Sequence, residues 1–266
     1  MANNWSYEET LLAFILYCQI PFGHIHHHNP EIINLSKLLN RTASAVAMKM
    51  VNLASLDPAL KERGIKGLSN ASKMEKKIWD DFHNSGISMV DYATKFMNDH
   101  EVNTQSAKNE DTGSSNTERK LLSPVSIPQG SSRLMPSRQR VGQTFFRRAV
   151  LAAYNGKCCI TGITVEPLLI ASHIKPWAES DDRSEKTNPC NGLCLNALHD
   201  KAFDQGLITI NHDYRIQISR DMKSLDLDEK TIELIIGIEG KAISLPDRFY
   251  PDHKFIEYHN KKVFLG

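Results

Sequence analysis

The sequence is poor in the features that mark a secreted, membrane-spanning or polycationic protein. Cysteine is scarce: five in 266 residues, namely Cys18, Cys158, Cys159, Cys190 and Cys194. The number is odd and two of them are adjacent, so they do not form the paired framework that staples small secreted domains. Long hydrophobic runs are missing too, and nothing approaches the ~20 apolar residues that cross a bilayer. The longest run, Leu11 to Phe22, follows Glu8 and Glu9 rather than a basic segment, which argues against a secretory signal. Charge of one sign is also absent. Residues 1–100 carry 10 basic and 10 acidic side chains and residues 139–266 carry 17 of each, so neither end is a basic arm that holds nucleic acid by charge alone. With 41% apolar and 24% charged residues the chain is globular in composition, and a reducing, cytoplasmic setting is the expectation.

Residues 101–138 stand apart. Of these 38 residues, 21 are Ser, Thr, Asn, Gln, Gly or Pro, without helical or strand periodicity. Such a segment buries too little apolar surface to offset the entropy of ordering it. It reads as a flexible polar linker, placed at 98–138, between a first domain (1–97) and a second (139–266).

The first domain reads as all-helical. Ser6 and Glu9 have the spacing of a capping box, in which each side chain satisfies the other's backbone N–H. Asn29-Pro30 is an N-cap followed by the one helical position where proline's missing N–H is harmless. Thr42 caps a third helix, Ser72 and Glu75 repeat the box for a fourth, Gly86 ends that helix, and Ser88 opens a fifth. Four histidines in the loop His24 to His28 include metal-binding chemistry among their readings. Consecutive loop side chains rarely converge on one ion, so a polar loop is the preferred reading.

The order Trp5-Ser6-x-Glu8-Glu9, a helix, then Asn40-Arg41-Thr42-x-x-Ala45-Val46-x-x-Lys49 resembles a Myb/SANT-like or helix-turn-helix module over about 50 residues. The resemblance implies DNA contact by the third helix through Arg41, Ser44 and Lys49. The alternatives are a helical bundle with a solvated cationic face, or a surface that docks a protein partner.

The second domain carries the chemistry. Leu168 to Ala171 and Leu193 to Leu195 read as short strands separated by a polar loop. A helical segment follows from Asn196 to Gln205, then a hairpin across Asn211 to Asp213. The fold class is α+β. The string CITGI…SHIKPW…NGLCL…LHDKAFDQGLITI resembles the HNH endonuclease family, in the subgroup with SHI-x-PW and NGL-x-L signatures, over about 75 residues. The resemblance implies a ββα-metal core and divalent-metal-dependent hydrolysis of a DNA phosphodiester, with Mg²⁺ or Mn²⁺, or another transition metal, as cofactor. It makes His173 the general base, Asn191 the residue that orients the loop and the base, and His199 a metal ligand on the helix. Ser172 stands where many members carry a stronger first ligand. Asp204 is a supporting residue, with capping of the next turn as an equal alternative. Arg147 and Arg148 on a leading helix, with Lys175, are candidate phosphate contacts. A structural zinc on Cys158, Cys159, Cys190 and Cys194 is disfavoured by their spacing. His259 reads as structural.

The resulting expectation is a restriction-like DNA endonuclease, with modification-dependent enzymes among the types it resembles, a second copy of itself as a candidate partner for double-strand cleavage, and no membrane association. Its rivals are a DNA-binding regulator with an inactive HNH core, and a nuclease recruited by a protein partner through its N-terminal domain.

Overall fold

The computed structural model describes residues 4–65, 71–106 and 138–266. The helices begin where the capping residues place them. Ser6 N donates to Glu9 Oε2 at 2.8 Å and Glu9 N to Ser6 Oγ at 3.1 Å, which starts α1 (Tyr7–Gln19). Asn29 Oδ1 accepts from Glu31 N at 2.9 Å and opens α2 (Pro30–Leu38). Thr42 caps α3 (Ala43–Ala54) and Asp57 caps the short α4 (Pro58–Glu62). The Ser72–Glu75 box starts α5 (Lys73–Ser106).

Two boundaries differ from expectation. The helix break expected at Gly86 falls one residue earlier, at a non-helical Ser85. The chain kinks at Ser85 (φ −150°, ψ 29°) and continues, because Ile87, Met89, Val90 and Ala93 keep an apolar face for packing. Helix α5 also runs through residues 98–106, which composition assigns to the linker. The remaining linker positions, 107–137, lie outside the described residues.

Helix α6 (Arg138–Ala153) leads into an antiparallel pair, β1 (Leu169–His173) and β2 (Gly192–Asn196). In their register His173 faces Gly192 and Ser172 faces Leu193. Helix α7 (Ala197–Asp204), capped by Asn196, follows β2 directly, giving the expected order of strand, loop, strand, helix. A second pair, β3 (Ile208–Ile210) and β4 (Ile216–Ile218), precedes α8 (Arg220–Ser224), α9 (Glu229–Leu234) and the C-terminal α10 (His253–Lys262). Among the described residues no helix is long and apolar enough to cross a membrane.

The N-terminal helices do not stand away from the rest. Helices α1 and α5 pack against α6, and the buried apolar side chains of both halves form one cluster. Phe82 meets Phe145 edge-on, and Tyr17 meets Phe249 likewise. Arg248 is fully buried and donates to the carbonyls of Tyr17 and Ile20, both at 2.6 Å, at the end of α1. Buried Asp57 accepts from Phe249 N at 3.2 Å. The sequence reading treats 1–97 and 139–266 as two bodies on a tether. In the structure the buried apolar side chains of both form one cluster, because apolar faces taken from water cover one another.

Candidate nuclease site

His173 ends β1 facing α6. Its ring stacks on Phe146 (centroids 3.6 Å apart, 14° between planes) and meets Trp177 edge-on at 5.3 Å. Nε2–H donates to the Lys186 carbonyl at 3.0 Å, so in the neutral ring Nδ1 carries the lone pair. Burial holds its pKa down at about 4, outweighing the Lys186 carbonyl, which favours the charged form. The imidazole is therefore uncharged at neutral pH, as a proton acceptor must be. Beside it lies a cleft of about 260 Å³ lined by His173, Trp177, Phe146, Gln143 and Arg147.

Asn191 joins the end of β1 to the loop that follows. It is fully buried, accepts from Lys175 N at 2.8 Å, and donates to Ser180 Oγ and the Lys175 carbonyl, both at 3.2 Å. Its amide also reaches the Glu185 carbonyl at 3.5 Å. One side chain thus ties the end of β1 to the loop that presents the Lys186 carbonyl.

His199, which the resemblance makes a metal ligand, lies on α7 with its ring turned inward. It is 1% exposed and its Nε2–H donates to the Leu234 carbonyl at 3.0 Å. Its Nδ1 has no hydrogen-bond partner and faces the Cys158 thiol. Burial alone would raise Cys158; the His199 ring, Thr161 and nearby backbone N–H groups outweigh it and bring the thiol to about 6. On α7 the neighbour of His199, about 100° further round the helix, faces β1 instead. Asp200 is half-buried and Asp204, four residues on, shares its helix face. Burial raises both carboxyls, and the charge of Asp204 raises Asp200 further. The Ser172 hydroxyl, buried and without a hydrogen bond of its own, faces Asp200 and favours its charged form. Ser172 and His173 are consecutive on β1 and so project to opposite faces, the serine towards α7 and the histidine towards α6.

Among the described residues no three His, Cys, Asp or Glu side chains converge as a ready cation cage. The donor set that does fit a hard divalent ion is Asp200, Asp204 and the orphaned Ser172 hydroxyl. Such ions bind through one or two carboxylates and complete their shell with water and substrate phosphate. Burial raises the thiols of Cys159 and Cys190. His259 is structural as read, stacked on Phe203 at 3.8 Å with Nε2–H on the Phe203 carbonyl.

The expected DNA contacts are mostly engaged within the protein. Arg41 makes a two-pronged pair with Glu9 (2.9 and 2.8 Å) under the Trp5 ring, and Lys49 is 8% exposed and bonded to Glu75 at 2.7 Å. Only Ser44 of that set remains on the exposed face of α3, next to Met48. Arg147 donates to the Leu169 carbonyl at 2.7 Å, Arg148 pairs with Glu31 at 2.6 Å across the two halves, and Lys175 pairs with Glu185 at 2.6 Å. Arg147 alone of these also lines the cleft at His173. Helical spacing could have flagged the Asp200–Asp204 pair; Phe146 and the Lys186 carbonyl have no signature in one dimension.

Residues 158–211 match the HNH_2 family model, an HNH endonuclease domain. That segment holds β1, the loop, β2, α7 and every residue of the site except the α6 side chains. An HNH domain implies nuclease activity in general. No curated protein matches the chain.

Proposed function

We propose that the chain is a divalent-metal-dependent DNA endonuclease in which His173 is the general base. The observation that carries this reading is the tautomer. Nε2–H donates to the Lys186 carbonyl and burial keeps the ring neutral, leaving Nδ1 to accept a proton from an attacking water. Asn191 holds the loop that supplies that carbonyl. Asp200, Asp204 and Ser172 would hold the cation, which when bound stabilises charge on the phosphate and the leaving oxygen. Within the described sheet β1 pairs only with β2, so a phosphodiester arriving at its other edge can meet both the histidine and the acidic face. These three donors are all oxygens, which suits Mg²⁺ or Mn²⁺ rather than a softer ion.

Restriction-type cleavage, with each copy cutting one strand, is the biological role we infer. A second reading concerns recruitment. Because Arg41 and Lys49 are turned inward, the outer face of α3 offers Ser44 and a 55%-exposed Met48, which favours a protein partner over phosphate for that helix. The test of the main reading is incubation of the full chain with plasmid DNA in Mg²⁺, Mn²⁺ or EDTA. Metal-dependent nicking that His173→Ala lowers by about 10²–10⁴-fold is expected. Undiminished cutting in EDTA rules the reading out.

A further inference from the structure

We propose that Thr187 is a positioning residue for His173, and that the N-terminal helices hold it in place through Gly86. The inference rests on reading His173 as the base. Thr187 directly follows Lys186, whose carbonyl accepts from His173 Nε2–H at 3.0 Å. It is 1% exposed, although it belongs to a polar loop. Two glycines from different helices form its socket. A Cβ added to Gly86, at the kink of α5, would lie 2.8 Å from Thr187 Oγ1 and 3.2 Å from Phe82 Cε2. A Cβ added to Gly142 on α6 would lie 3.3 Å from Thr187 Cγ2 and 3.4 Å from Ile87 Cδ1. Neither glycine is in the left-handed region, so close approach rather than backbone freedom is what requires them. Glycine is disfavoured inside helices, and here two of them face the same threonine.

The linkage is short. Helix α5 meets Thr187, one peptide unit separates Thr187 from the Lys186 carbonyl, and that carbonyl sets the ring of His173. Asn191 grips the same loop from its inner side through the Glu185 carbonyl. The loop is thus fixed by one anchor within the HNH segment and one from the N-terminal half. The α5 kink brings Gly86 to the threonine; a non-helical Ser85 is what turns the helix there. The helical half therefore contributes to the geometry of the base as well as to any recognition.

The test uses the full chain, plasmid nicking in Mg²⁺, and the ¹⁵N signal of the His173 ring. Gly86→Ala pushes the loop and is expected to lower kcat by about 10–100-fold, the scale of a misplaced catalytic group. KM for DNA should stay within about twofold, since the interaction removed acts on the transition state. The hydrogen-bonded His173 Nε2–H signal should move. Thr187→Ala empties the socket, so Gly86→Ala combined with Thr187→Ala should match Thr187→Ala alone in both kcat and His173 signal. Wild-type kcat and an unmoved His173 signal in Gly86→Ala overturn the proposal, as does a loss that Thr187→Ala does not rescue. If circular dichroism shows Gly86→Ala unfolded, Gly142→Ala crowds the same threonine less severely and carries the same two outcomes. If His173→Ala cleaves normally, the reading of the base fails, whereas the ring signal still decides whether the socket sets the imidazole.

Discussion

Arg248→Met should loosen the two halves from one another. The guanidinium is wholly buried; it bonds to the Tyr17 and Ile20 carbonyls at 2.6 Å and lies 4.5 Å from the centre of the Tyr17 ring. Hydrogen bonds from a charged donor contribute about 1.5–3 kcal/mol each, so the two short ones amount to about 3–6 kcal/mol. Methionine recovers part of this, because it need not be stripped of water, but it leaves the α1 carbonyls without donors. A net loss of about 3 kcal/mol follows, at the lower edge of what breaking a buried charge interaction costs. A pH signature accompanies it. Burial raises the Asp57 carboxyl above its ordinary 3.8, and Arg248 opposes that rise. The folded state then keeps a proton that the unfolded chain has lost, so this group's contribution falls as pH rises from 3.8 through the folded value. Removing Arg248 moves the upper edge of that window upward, and the variant should regain more stability on acidification than the wild type does. Urea unfolding at neutral and mildly acidic pH measures both effects. Tryptophan fluorescence reports on Trp5, Trp79 and Trp177, and circular dichroism on the helices. A loss under about 1 kcal/mol, or separate transitions for the two halves of the wild type, would refute the shared-core reasoning.

Three further outcomes are expected. Lys49→Ala should cost about 3 kcal/mol by stranding buried Glu75, while the salt dependence of DNA binding keeps its slope; a slope reduced by about one would make Lys49 a phosphate contact after all. Glu75 itself is pushed up by burial but held below its ordinary 4.5 by the stronger pull of Lys49 and Ser72. Its stabilisation is therefore complete above about 4.5 and lost as pH falls through the folded value, which acid titration of the wild type against Glu75→Gln will show. Asp200→Asn and Asp204→Asn should each abolish Mg²⁺-dependent nicking and weaken Mg²⁺ binding in calorimetry, whereas His199→Ala should lower the melting temperature with Mg²⁺ affinity intact; the reverse pattern restores His199 as the ligand.

Local features were legible because they depend on neighbours in the chain. The caps at Ser6, Asn29, Thr42 and Ser72 start helices through bonds to residues two or three positions on. The strand-loop-strand-helix order around His173 and Asn191 was also readable, since alternation, turn residues and the motif all lie within one segment. The choice between His199 and Asp200 was not. They are adjacent, and which one faces the strand depends on the rotation of α7 against its surroundings; here the histidine meets the Leu234 carbonyl and the Cys158 thiol, and Asp200 meets Ser172.

Charge was the most misleading signal. Arg41 and Lys49 look like a DNA-reading face as long as the positions of Glu9 and Glu75 are unknown, and only folding brings those carboxylates 32 and 26 residues along the chain to meet them. The same holds for the partition of the molecule. Composition marks a polar stretch near residue 100 and so divides the chain, yet the apolar faces of α1 and α5 needed a cover, and α6 supplies it from beyond that stretch. Sequence alone determined which segments become helix or strand and which residue types carry the chemistry, because those follow from short-range hydrogen bonding and motif spacing. Tertiary packing alone decided which charges are paired internally, that Asp200 faces Ser172, and that a threonine wedged between two helices directly follows the carbonyl that accepts from His173.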